Sequence, residues 1–60
     1  MPSDETRRVL KVFGVAVTSL EDAIDRRAQF DEITKWDAEL ADRTREVLAL
    51  VDRLRSRRIQ

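Results

Sequence analysis

Residues 9–24, VLKVFGVAVTSLEDAI, decide how this chain folds. Their apolar side chains recur at steps of three and four residues, which is the spacing of one face of an α-helix. This first stripe consists of Val9, Val12, Phe13, Ala16, Val17, Leu20, Ala23 and Ile24. Upstream, Ser3 is placed to cap the helix, and Asp4 and Glu5 put negative charge in its first turn, where the helix dipole favours it. The sequence therefore predicts a first helix over about residues 4–28.

A second apolar stripe follows on a different side of the helix. Its members are Phe30, Ile33, Leu40, Val47, Val51 and Leu54, and four of them are spaced by seven residues, the repeat of helices that pack side by side. Continuing the first stripe would instead use polar residues such as Arg27 and Asp31. This change of face predicts a turn over about residues 29–34, with Thr34 capping a second helix over about residues 35–57. Phe13 and Phe30 are expected in the core.

The predicted architecture is all-α, a single domain over residues 1–60 that forms a two-helix antiparallel hairpin. With 40% charged residues, one Gly and one Pro, the composition is typical of long helices. Such a hairpin would assemble into a four-helix bundle or dock on a larger partner. One long helix is the first alternative, because the pairs Asp22–Arg26 and Arg27–Asp31 have the spacing of helical ion pairs and run up to and across the predicted turn.

A second alternative begins with a β-strand over residues 8–17, which are rich in Val and contain Phe13. Ser19 would then cap the next helix, giving the order strand, helix, helix. That order resembles the ribbon-helix-helix DNA-binding proteins, and the resemblance implies a small dimeric transcriptional regulator. Neither face of such a strand would be polar, however, and a strand that reads bases needs a polar face. The helical hairpin is therefore the preferred prediction.

Several classes of chemistry lack their usual residues. The chain has no Cys and no His, which excludes disulfides, thiolate metal sites, and catalysis by a Ser-His-acid set. Gly14 is the only Gly, so no Gly-rich phosphate loop is present. We expect no enzyme activity, no cofactor, no metal and no small-molecule ligand. No apolar run approaches the length of a membrane span, and the expected location is the cytoplasm.

Protein association is the function that the pattern favours. A chain this short buries too little surface to be stable alone without a disulfide or a structural metal. We therefore expect a homo-oligomer or a small accessory subunit of a larger protein. Folding the chain about residues 31 and 32 would place Phe13 near Leu50 and leave a surplus face that includes Leu10, Val15 and Leu48. The predicted interface consists of Leu10, Phe13, Val15, Val17, Trp36, Val47, Leu48, Leu50, Val51 and Leu54.

Charge is distributed unevenly along the chain. Twelve basic and twelve acidic residues cancel overall, yet residues 19–42 carry a net charge of −5, residues 43–60 of +4, and residues 1–18 of +1. Four basic residues near the C-terminus, Arg53, Arg55, Arg57 and Arg58, are a candidate anion-binding set. A role in solubility and in complementing the helix dipole is the favoured interpretation. Nucleic acid is disfavoured as a partner, because the acidic middle of the chain would repel it.

Overall fold

The computed structural model describes residues 2–59, and within them the chain forms two helices. Helix α1 spans Asp4–Asp25 and helix α2 spans Phe30–Ile59. They lie antiparallel in a hairpin that measures 48 × 18 × 13 Å. The predicted all-α hairpin is confirmed. The two alternatives are wrong for this part of the chain, because α1 covers the stretch that a strand would occupy and residues 26–29 interrupt the helix.

The start of α1 follows the sequence prediction. The hydroxyl oxygen of Ser3 accepts a hydrogen bond from the backbone N–H of Thr6 (3.1 Å), so this side chain satisfies one of the free N–H groups at the helix end. Asp4 and Glu5 lie in the first turn. At the C-terminal end of the chain, α2 carries Arg57 and Arg58 in its last turn, where the helix dipole favours positive charge.

The turn lies earlier than predicted, at residues 26–29 rather than 29–34. The backbone N–H of Ala28 donates to the carbonyl oxygen of Ala23 (2.9 Å), and that of Arg27 donates to the carbonyl oxygen of Ile24 (3.1 Å). These two bonds form a Schellman motif, with Arg27 in the left-handed position at φ 55°. Thr34 is therefore not a cap, since α2 has already begun.

This earlier turn also changes the register of the two helices. Arg53 Nη2 lies 2.9 Å from Glu5 Oε1, which places these two residues at the same level of the hairpin. Counting four residues inward on each helix brings Val9 level with Ala49, next to Leu50. The prediction that Phe13 pairs with Leu50 is thus wrong by five residues, or about 1.4 helical turns, and the cause is the misplaced turn.

Because α2 is the longer helix, its C-terminal end extends past the start of α1. Glu5 lies level with Arg53, so residues 55–59 pass the first residue of α1 by about 8 Å at 1.5 Å per residue. We call residues 55–59 the basic overhang, since it contains Arg55, Arg57 and Arg58.

The core between the helices is thin. The buried residues of α1 are Val9, Ala16 and Ala23, which are spaced by seven residues, and α2 adds Leu50. Two of these four are alanines, so the helices gain little buried apolar area from them. None of the large side chains in the described part of the chain is fully buried. A hairpin with this core has little apolar burial to offset the entropy of folding.

Candidate protein-interaction surface

One long side of the hairpin is apolar. It contains an open groove of about 380 Å³, lined by Val17, Leu20, Glu21, Ile24, Asp25 and Leu40. Residues at helical spacings from these extend the surface along both helices. We define the apolar face as Leu10, Phe13, Val17, Leu20 and Ile24 of α1 with Ile33, Leu40, Val47, Val51 and Leu54 of α2.

Much of the apolar face is exposed to solvent. Leu10 is 50% exposed, Ile24 is 54% exposed and Leu54 is 42% exposed, although leucine and isoleucine are among the most frequently buried residue types. The remaining members, apart from the exposed Val17, are half-buried, so they contribute both to the hairpin and to its surface. A continuous row of this kind differs from the scattered single apolar residues that cover ordinary protein surfaces.

The opposite long side is charged. Its α2 residues include Glu32, Glu39 and Glu46, which are again seven apart and each precede a member of the apolar face by one residue. Arg43 lies 3.8 Å from Glu39 and 3.2 Å from Glu46, with its side chain only 25% exposed. Together with the Glu5–Arg53 pair, these groups define the charged face. These charged groups pair with one another within the chain. The apolar face is therefore the surface that a partner would remove from water.

Arg26 connects the two helices across the turn. Its guanidinium binds Asp22 of α1 at 2.9 Å and also pairs with Glu32 of α2. The hydrogen bonds that this guanidinium donates to the carboxylates of Asp22 and Glu32, together with their negative charge, raise the pKa of Arg26 above its ordinary value. The Asp22–Arg26 pair that the sequence indicated therefore forms. Glu32, which lies on the second helix, is the other partner of Arg26.

The structure distributes the predicted interface residues over three locations. Six of the ten belong to the apolar face, and Leu48, which is 59% exposed, lies at its edge. Trp36 and Leu50 are spaced by two heptads on the side of α2 that faces α1; Leu50 is 5% exposed, so it belongs to the core of the hairpin. Lys35 Nζ lies 5.1 Å from the centre of the Trp36 ring, which covers part of that side chain.

Val15 does not share a surface with Leu10. Five residues separate them, which is about 140° around the helix, so Val15 falls on the side of α1 nearer the charged face. It is nevertheless 51% exposed. The sequence interpretation that grouped Leu10, Val15 and Leu48 in one surplus face is thus wrong for Val15.

The four basic residues of the candidate anion-binding set do not form one cluster. Arg53 is engaged by Glu5. Arg57 follows Arg53 by four residues and lies on the same side of α2, whereas Arg55 and Arg58 point to other sides at about 100° per residue. All four are exposed. Their dispersal around the helix gives no concave site for an anion.

The sequence interpretation missed several residues at the surface of the hairpin. Phe30 was expected in the core but is 80% exposed, because the turn ends before it and it begins α2. Leu20, Ile24, Ile33 and Leu40 were recognised as stripe members but not as part of an interface. The width of the apolar stripe could have revealed them. Apolar residues cover more of the circumference of each helix than one partner helix can bury, which indicates a second contact surface.

Comparison with known proteins found no matching family model, no matching curated protein and no matching solved structure. Neither helix offers a stretch with the length and hydropathy required to cross a bilayer, as far as residues 2–59 are concerned. Within the same residues, no group of three or more acidic side chains is placed to hold a metal ion. The function is therefore argued from the surface of the hairpin.

Proposed function

We propose that this chain is a non-enzymatic module that acts by associating with protein through the apolar face. The observation that carries the proposal is a continuous row of large apolar side chains of which none is buried: Leu10, Ile24 and Leu54 are each 40% exposed or more, and most of the others are half-buried. Burying apolar surface of this kind contributes about 25 cal/mol per Å² to the free energy of association. Association supplies the apolar burial that the thin core between α1 and α2 does not.

The energetic argument depends on the core residues already described. Ala16 and Ala23 allow the two helices to approach but bury few carbon atoms. A hairpin of this size has a stability of only a few kcal/mol at best, unless a partner covers its second apolar surface. The proposed module therefore gains folding stability and binding free energy from the same face.

A matched pair of substitutions tests this role of the apolar face. Leu10 and Val15 have nearly equal exposure, 50% and 51%, and lie on opposite sides of α1. Leu10→Asp should raise the dissociation constant for self-association tenfold or more, since it places a charge in a surface that association dehydrates. Val15→Asp should change it less than threefold. Sedimentation equilibrium measures both, and equal effects of the two substitutions would refute the assignment of this face.

A nucleic-acid role has less support. The strand on which the regulator interpretation depended is helical, and Arg53 is occupied by Glu5. The acidic residues near the turn would also repel a long polyanion along the hairpin. Protein association is therefore the function that we propose.

A further inference from the structure

We infer that the partner on the apolar face is a second copy of this chain in inverted orientation. In this dimer the basic overhang of each hairpin lies beside the turn end of the other. The four helices then form an antiparallel bundle around a two-fold axis near the middle of the apolar face. This inference rests on the proposed function and names the partner of the same surface.

Charge complementarity selects the orientation. The turn end, residues 19–42, carries a net charge of −5. The open end combines residues 1–18 at +1 with residues 43–60 at +4, and so carries +5. A parallel dimer would bring −5 against −5 and +5 against +5, whereas the inverted dimer pairs each end with its opposite. Like-charge contacts suppress the wrong arrangement, and opposite charges favour encounter in the correct one.

The charged residues next to the apolar face follow the same division. At the turn end, Glu21 and Asp25 line the groove and are exposed. At the open end, Arg58 follows Leu54 by four residues and Arg55 follows Leu48 by seven, which places both on the side of α2 that bears the apolar face. The middle of the apolar face lies about 13 residues along α2 from the overhang, and the turn lies about as far from the middle in the other direction. A two-fold axis at the middle therefore places the overhang of one copy beside the turn of the other.

Phe30 is the second feature that the inverted dimer explains. It is 80% exposed, the highest value among the large apolar residues of the described chain. It lies on the same side of α2 as Leu48, since 18 residues are five full helical turns. In the inverted dimer the arginine side chains of the partner's overhang reach this level, and their aliphatic stems and guanidinium groups can cover the ring.

The available area matches what a stable dimer requires. One long side of the hairpin has an outline of 48 × 18 Å, or about 860 Å², which is comparable with the area of about 800 Å² that each partner buries in a standard protein interface. A second hairpin of the same length covers the whole apolar face, including Leu10 near one end and Ile24 near the other. A single additional helix would be narrower than this surface.

Charge reversal at the two ends tests the orientation at low ionic strength, where such contacts are least screened. Glu21→Lys with Asp25→Lys should raise the dimer dissociation constant about tenfold, and so should Arg55→Glu with Arg58→Glu. The four substitutions together reduce the charges of the two ends to −1 and +1. They also exchange the signs of the four groups beside the apolar face, so each again faces an opposite charge across the inverted dimer, and the constant should fall below that of either pair of substitutions alone. In a parallel dimer, the lysine variant would instead tighten association, because it relieves repulsion between two acidic ends. That result, or a failure of the combined variant to recover, overturns the inference.

Distances in the dimer give an independent test. The chain has no Cys, so Ser56→Cys introduces a single site for a spin label in the overhang. Twice the rise from Ser56 to the middle of the apolar face is about 39 Å, and the inverted dimer should therefore give a label separation of about 40 Å or more by pulsed electron paramagnetic resonance. A parallel dimer should give less than about 25 Å. Thr18→Cys, near the middle of α1, is the control whose distance differs little between the two orientations.

The two proposals fail in different ways. A dimer with short Ser56 distances would overturn the inverted arrangement and leave association through the apolar face intact. A chain that stays monomeric at all accessible concentrations would overturn the second copy as the partner. Association that is equally sensitive to Val15→Asp and Leu10→Asp would refute the surface itself, whatever the orientation.

Discussion

Arg27 occupies a backbone conformation that suits glycine, and Arg27→Gly should stabilise the hairpin. Its φ of 55° lies in the left-handed region, where a side chain costs about 1–2 kcal/mol. Glycine removes that cost but adds about 0.4–1 kcal/mol of chain entropy to the unfolded state. The expected gain is therefore about 0.5–1 kcal/mol, or a rise of roughly 3–8 °C in the midpoint of thermal unfolding for a chain of this size.

Urea unfolding followed by circular dichroism measures this gain, at one fixed protein concentration because association also contributes to stability. Arg27→Ala is the matched control, since it removes the same guanidinium but keeps a Cβ in the left-handed position. It should change the free energy of unfolding by less than about 0.5 kcal/mol. If Arg27→Gly proved no more stable than Arg27→Ala, the Schellman turn at residues 26–29 would be wrong.

Three further substitutions test other parts of the hairpin. Ala23→Leu should cost about 1–3 kcal/mol, because Ala23 is fully buried between the helices; an unchanged urea midpoint would contradict that packing. Gly14→Ala should stabilise by about 0.5–1 kcal/mol, since an added Cβ meets nothing within 4 Å, and a loss of stability on thermal unfolding would show that Gly14 is needed. Arg57→Gln with Arg58→Gln should alter stability by under about 0.5 kcal/mol, and micromolar duplex-DNA binding lost on this change would restore the regulator interpretation.

The helical content of this chain is predictable from local pattern. The stripe from Val9 to Ile24 matches α1, and Ser3 caps it as its residue type suggests. The seven-residue spacing of Ile33, Leu40 and Val47 places them on one side of α2. These features depend on spacing and on residues a few positions apart, which a sequence displays directly.

The position of the turn was not predictable by the same reasoning. A helix usually ends in the left-handed conformation at Gly or Asn, and here Arg27 takes that position. Favourable charge spacing also hid the turn, because Asp22 and Arg26 form the helical pair that their spacing predicts, while Arg26 pairs in addition with Glu32 of the next helix. The error of a few residues changed the register by about five residues and moved Phe30 to the surface. Val15 lies away from Leu10 for a different reason, since the two residues are about 140° apart on the same helix.

Sedimentation equilibrium of the unmodified chain over a wide range of concentration tests the role of the apolar face most directly. The exposed row from Leu10 to Ile24 and the thin core predict a mass that rises from 7.0 kDa towards twice that value as concentration increases. Leu10→Asp should shift the rise to at least tenfold higher concentration, while Val15→Asp leaves it in place. A constant mass of 7.0 kDa for the unmodified chain up to millimolar concentration would contradict the proposal that this face is covered by a second copy.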